Sequence, residues 1–324
     1  MRLLLVELTR FRSRRAIALM LLATALLTAI LVTSTIWESR PVSAQDFEHA
    51  QAQAEYELQQ PYMQSEIKRC ERNPERFSGP GATAEECVDM FAPQPEWFLD
   101  RQPLTLAEER RDSGVAVLMI VAALMTIIGT TFAGADWASG SMSNQLLFEP
   151  RRTRVWLAKA AAVFLGTLVA AGVIIAAFWV ALYVTAEMRG IHTGATVQEQ
   201  IRAMAGRGVL LAAFGALGGY ALTMLLRHTV GTLAVVFAYS VGGEALTASL
   251  PIEGAGRWGL SNNVFAWLYD GHEYYDQSIS CLPASDMCNQ LANMSLSEGA
   301  TYLGVLLLVT LGLSVFSFWR RDIP

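Results

Sequence analysis

Charge is scarce in this chain. Lys, Arg, Asp and Glu make up 16% of its 324 residues, against about 25% in an ordinary soluble domain. The scarcity is also uneven, because the charges cluster between long apolar runs. That pattern excludes a large soluble core and points to a membrane protein. The net charge is −5 and no basic stripe interrupts it, which argues against nucleic acid as a partner. Histidine is limited to four residues and no HExxH pair occurs, so a zinc membrane protease of that type is excluded. Also absent are a GxxxxGK[ST] phosphate loop and the GxSxG and GxSG serine motifs. The chain cannot cradle nucleotide phosphates in the P-loop manner by itself. His272-Glu273-Tyr274-Tyr275-Asp276 looks metal-like but reads as a solvated loop. No catalytic residues, no metal site and no enzymatic activity of its own are expected.

Apolar sequence is abundant, at 53%. A helix crossing a bilayer needs about 20 mostly apolar residues. Six windows qualify: 16–36, 114–135, 160–186, 208–226, 229–248 and 300–319. The predicted fold class is therefore all-α integral membrane, with six transmembrane helices. The first window is uncharged and 21 residues long. It exceeds the about 7–15 residues of a signal-peptide apolar core and reads as a retained span. Only Arg227 and His228 separate the fourth and fifth windows. They form a tight hairpin, since one long helix would leave both residues at mid-membrane.

Lys and Arg concentrate in cytoplasmic loops. Arg2, Arg10, Arg12, Arg14 and Arg15 precede the first window, and Arg151, Arg152, Arg154 and Lys159 lie between the second and third. Arg227 joins the fourth and fifth, and Arg320 and Arg321 follow the sixth. With six spans, all four clusters fall on one side. The prediction is N-in, C-in topology, with the tail 320–324 inside and the acidic loops 37–113, 187–207 and 249–299 outside. The alanine- and arginine-rich usage fits a multi-pass protein of a bacterial plasma membrane.

Cys70 and Cys87 fall in the first outer loop, Cys281 and Cys288 in the last. An even count on the oxidising side predicts disulfides, with local pairing Cys70–Cys87 and Cys281–Cys288. The rival is a metal site of four thiolates, disfavoured by the lack of CxxC spacing. The loop 37–113 reads as a helical extracellular cap. Residues 46–69 are rich in Gln, Glu and Ala, and Pro61 starts or interrupts a helix there. Residues 72–95 read as loop, and Trp97, Phe98 and Leu99 as an anchor. In the last outer loop, Trp258, Leu260, Val264, Phe265, Trp267 and Leu268 form an apolar stretch too short to span. It reads as interfacial or re-entrant.

Inside, residues 1–15 carry Leu4, Leu5, Leu8 and Phe11 at helical spacing, with arginines elsewhere. This is a basic amphipathic helix able to lie in the interface plane, or simply a topology signal. In the connector 136–159, a Ser/Gly turn starts a short helix near Ser141 that carries Leu146 and Leu147 and ends before Pro150. Two exposed leucines call for a partner, and the basic residues that follow suit lipid head groups. Tyr220, Thr223, Tyr239, Ser240 and Glu244 form a candidate substrate path. Gly242-Gly243 is a natural helix stop, so Glu244 reads as wet, with a buried polar point as the alternative. Gly215 and Gly219 make a face for close helix packing.

One further pattern runs through the connector: an acidic residue, Gly with Ser, a Leu pair, then Pro-Arg-Arg-x-Arg and a Lys. Here these are Asp136, Gly140-Ser141, Leu146-Leu147, Pro150-Arg151-Arg152, Arg154 and Lys159. It resembles the cytoplasmic connector of type 2 ABC transporter permeases. The closing Phe318-Trp319-Arg320-Arg321-Asp322 and the whole layout resemble that family as well. Asp136 stands where Glu is usual, and Ser141 where Thr is usual. The resemblance implies that Asp136, Gly140, Leu146, Leu147, Pro150, Arg151 and Arg152 dock a separate P-loop ATPase subunit. It also implies a permease homodimer with two such subunits, which hold ATP and Mg. The expected function is the transmembrane subunit of an ABC exporter. The alternative is a non-transport sensor or scaffold whose disulfide-stapled cap binds a ligand.

Overall fold

The computed structural model describes residues 2–79, 81–99, 101, 103–249, 252, 254–276 and 290–321. Six of its helices are long and apolar enough to cross a membrane. A short helix α1 (Arg2–Ser13) is separated by one residue, Arg14, from α2 (Arg15–Glu38), the first candidate span. The second, Leu106–Ala138, is a turn α7 (Leu106–Glu109) followed by α8 (Ser113–Ala138). The short α9 (Ser141–Phe148) then leads to α10 (Arg152–Met188), and α11 (Ala195–Leu226) follows. The sixth candidate span, Leu296–Arg320, is helix α15.

The chain divides into two compact units, 33–105 and the remainder, with the division inside α2. In the larger unit, α8, α10 and α11 form the core. Between 39% and 44% of their apolar windows are buried, against 22% or less in α2, the fifth span and α15. The core is tight because its helices meet through small residues. A Cβ on Gly129 of α8 would lie 2.0 Å from the Ala216 carbonyl oxygen of α11. Reciprocally, an added Cβ would lie 2.6 Å from Thr126 Oγ1 at Gly215, and 2.6 Å from the Thr126 carbonyl oxygen and 2.7 Å from Thr130 Oγ1 at Gly219. Apolar side chains gain little by leaving lipid, so such close backbone approach is what holds membrane helices together.

Several boundaries differ from the sequence expectation. Helix α10 already begins at Arg152, and α11 at Ala195, so parts of 136–159 and 187–207 are helix rather than connector. The added segment 195–207 is rich in good helix formers, which explains the extension. The fifth span does not stop at Gly242-Gly243. Helix α12 (Thr229–Phe237) passes through a π-turn (Ala238–Gly242) into α13 (Gly243–Ser249). Glycine lowers helix propensity by only about 1 kcal/mol, and backbone groups in a bilayer must stay bonded. After α13 come a 3₁₀ turn (Ala255–Trp258) and α14 (Leu260–Tyr269). Unexpectedly, β1 (His272–Tyr275) then pairs antiparallel with β2 (Leu291–Met294), with Tyr274 opposite Ala292. Tyr274 and Met294 bury against Ala266 of α14, so the hairpin is a small addition to a helical fold.

The unit 33–105 contains α3 (Ala44–Leu58), α4 (Pro61–Arg72), α5 (Pro74–Ser78) and α6 (Ala84–Phe91). Ser43 caps α3 in a capping box with Asp46, and its hydroxyl holds that carboxyl below the usual range. Arg101 reaches the same carboxylate at 2.8 Å. Pro61 starts α4 at its first turn. Helix α6 lies in what read as loop, and Thr83 and Glu86 start it with a second capping box. A disulfide joins Cys70 of α4 to Cys87 of α6, Cα–Cα 5.8 Å, with both residues fully buried. Closing a loop of this size is worth about 3 kcal/mol in the chain-entropy model. Cys281 and Cys288 lie outside the described residues.

Candidate functional site

Four elements of the larger unit meet at one buried ionic network. Asp136, near the end of α8, and Lys159, two turns into α10, are both fully buried, as is Glu7 of α1. The Lys159 ammonium lies 2.6 Å from Asp136 Oδ2 and 3.0 Å from Glu7 Oε2. Arg14, at the break between α1 and α2, pairs with Asp136 Oδ1 and donates to the Phe132 carbonyl at 2.5 Å. Helix α9 contributes two neutral donors. Ser141 Oγ donates to Asp136 Oδ1 at 2.8 Å, and Gln145 Nε2 to Glu7 Oε1 at 2.6 Å. Arg10 closes the rim, 3.3 Å from Glu7. The Phe132 ring backs the cluster, with the Arg14 guanidinium 4.6 Å and the Lys159 ammonium 5.5 Å from its centroid.

Two carboxylates thus face three cations, Lys159 and Arg14 with Arg10 at the rim, and both carboxylates are further bonded by α9. Burying an ion costs several kcal/mol, which is offset only when its partner and remaining hydrogen bonds are in place. The network is complete only while α1, α8, α9 and α10 keep their mutual positions. It therefore acts as a geometric clamp more than as a source of stability.

Helix α9 is held from this side and bare on the other. Met142 is buried and Leu146 half-buried, while Leu147 is 80% and Phe148 91% exposed. Gly140 makes the turn from α8 into α9 at φ 69°. That left-handed geometry costs glycine nothing and most residues 1–2 kcal/mol or so. Pro150 and Arg151 are exposed beyond α9. Arg152 instead donates to the Phe318, Trp319 and Arg321 carbonyls at 3.4, 3.2 and 2.7 Å. It caps the C-terminal end of α15, where carbonyls lack helical partners.

No family model, no curated protein and no solved structure matches this chain. The site must therefore be read from its own geometry.

The seven residues that sequence analysis grouped in the connector separate into distinct settings. Leu147, Pro150 and Arg151 face outward, Leu146 is half-covered, and Gly140 shapes the turn. Asp136 is the centre of the buried network, and Arg152 is engaged with α15. Phe148, the most exposed large side chain of the segment, extends the apolar tip. Its signal was the unbroken Leu146-Leu147-Phe148 run. Glu7 also went unread. Leu4, Glu7, Leu8 and Phe11 share one stripe of α1, and a carboxylate on an apolar stripe requires a buried cation.

The five candidate path residues do not converge. Tyr220 is fully buried and donates to the Trp156 carbonyl at 3.0 Å. Thr223 is buried and bonds the Gly219 carbonyl within α11. Ser240 bonds the Phe237 carbonyl in its own helix. Tyr239, within the π-turn, pairs its hydroxyl with Tyr302 of α15, which also donates to the Trp258 carbonyl at 3.0 Å. Tyr239, Trp258 and Tyr302 line a cleft of about 720 Å³ with Arg257 and Glu298 at its polar edge. Glu244 is half-buried and has a partner. Its Oε1 accepts from the Ser261 amide at 2.5 Å and so caps the start of α14.

Proposed function

We propose that the chain is the transmembrane permease subunit of an ATP-driven ABC exporter, resident in a bacterial plasma membrane with both termini in the cytoplasm. The observation that carries this reading is the bare apolar tip, Leu147 and Phe148, on a short helix clamped from behind to α1, α8 and α10. An exposed aromatic-aliphatic pair followed by the exposed Arg151 suits a protein partner with an apolar socket and an acidic rim. Since the chain carries no phosphate loop, the ATPase would be a separate polypeptide holding ATP and Mg. Two permease copies would pair with two ATPase subunits. A push on α9 would be felt at once by α1, α8 and α10 through Gln145, Ser141 and Lys159. ATP binding would then bias two conformations that differ in access to each side of the membrane. The chain itself would do no bond chemistry.

The test is L147D/F148D in the full chain. Both side chains are exposed, so folding and thermal stability should stay within about 0.5 kcal/mol of the parent. Binding to the cognate ATPase should weaken by about thirtyfold or more, the loss typical of a hot-spot residue. Unchanged ATPase binding and unchanged ATP-driven transport would contradict the assignment.

A second reading, a sensor or scaffold, is favoured by one observation. Residues 33–105 form a compact unit of their own, closed by the Cys70–Cys87 disulfide. It expects no ATPase partner, and loss of its role when 44–99 is deleted with membrane insertion kept.

A further inference from the structure

Away from the ionic network, α10, α11 and α15 line a second, open cleft of about 880 Å³. This is within the size range of sites that hold a small ligand. Its lining is apolar, from Leu157, Phe164, Leu217 and Leu308 to Phe316 and Trp319. The buried Trp156 forms part of the wall, fixed by a 3.1 Å hydrogen bond from its indole Nε1 to Ser314. The cleft lies along three membrane-length helices, so its surroundings are lipid chains.

Only one end of the cleft is charged. Arg320 follows Trp319 and lays its guanidinium 4.9 Å from the Phe316 ring centroid, on the rim. Arg154 sits one and two turns from Leu157 and Ala161, on the same face of α10 as these lining residues. Both arginines have no carboxylate partner among the described residues, whereas Lys159 and Arg14 are fully paired. Arg320 stacked on the rim and Arg154 on the lining face of α10, neither paired with a carboxylate among the described residues, match one kind of occupant: an acyl chain carrying an anionic head group.

We propose that this cleft binds one anionic phospholipid from the leaflet on the arginine-rich side, with a chain between α10 and α15 and its phosphate on Arg154 and Arg320. The proposal does not depend on the transporter reading. It concerns a resident lipid, and it would stand for a sensor or scaffold equally well.

Gly312 offers a clean test. It lines the cleft, and a Cβ there would meet nothing within 4 Å. G312L should therefore fill the slot without disturbing the helix. Gly304 has the same open surroundings on α15 but lies outside the cleft, so G304L is the matched control. The full chain, purified in detergent, is offered phosphatidylglycerol or phosphatidylcholine with identical chains, and retained lipid is counted by native mass spectrometry. The parent should keep one phosphatidylglycerol per chain and discriminate against phosphatidylcholine by about thirtyfold, the preference expected from two arginines. G312L should lose the bound lipid, and G304L should keep it. R154Q/R320Q should bring the two lipids level. Soluble glycerol phosphate should not displace the lipid.

Equal retention of both lipids by the parent would overturn the proposal, as would full retention by G312L. Displacement by glycerol phosphate would mean a phosphate site without a chain. A dimer that G312L dissociates, with no lipid bound in either case, would mean that a second copy fills the cleft.

Discussion

Lys159 is the residue on which the ionic network turns. Among the described residues it is the only cation that touches both Asp136 and Glu7. K159M would leave two buried carboxylates without their shared counter-ion, and breaking such a cluster costs about 3–5 kcal/mol. Thermal unfolding of the purified variant should show that loss. Neutralising the carboxylates as well, in K159M/E7Q/D136N, should restore much of it, because the penalty comes from unpaired charge and not from missing volume. A K159M chain as stable as the parent would mean that the cluster is not closed as described. The partners of this lysine were half legible. Its position after an arginine run made it look like part of a basic surface. What the sequence could not display was that α10 begins at Arg152, which carries residue 159 inward by two turns. Glu7 could have been read from its place on the Leu4, Leu8, Phe11 stripe.

Between elements, α8 and α11 meet backbone against backbone. G129A would push a methyl carbon toward the Ala216 carbonyl oxygen, only 2.0 Å away. The helices would have to separate, at a cost of about 1–3 kcal/mol for overpacking a tight interface. G242A, where a Cβ meets nothing, should be neutral or slightly stabilising. Parallel melting curves of the two variants check this, and equal effects would contradict it. Long helices were the most legible elements, because an apolar run of 20 or more residues has few alternatives in a bilayer. The Gly215/Gly219 packing face was legible for the same reason. The β1–β2 hairpin was not. His272–Tyr275 and Leu291–Met294 alternate poorly, and only their docking on Ala266 makes a strand of each. Nor did Gly242-Gly243 end a helix, since a π-turn carries the backbone through.

At the scale of the molecule, sequence and structure meet on six membrane-length helices and the Cys70–Cys87 disulfide. They part at the connector. As a string, 136–154 reads as one docking segment. Folded, it divides into a buried half, Asp136 with Ser141 and Gln145, and a bare half, Leu147 with Phe148. The buried half ties α9 to the rest of the helical unit, and the bare half needs something to cover it. We propose that an ATPase subunit covers it. A photo-crosslinking amino acid at position 147 tests this in the native membrane of the producing cell. The expected result is a single protein adduct containing a P-loop ATPase, absent when the same probe replaces Val173 on an exposed face of α10. An adduct with lipid alone, or with a second copy of this chain alone, would contradict it.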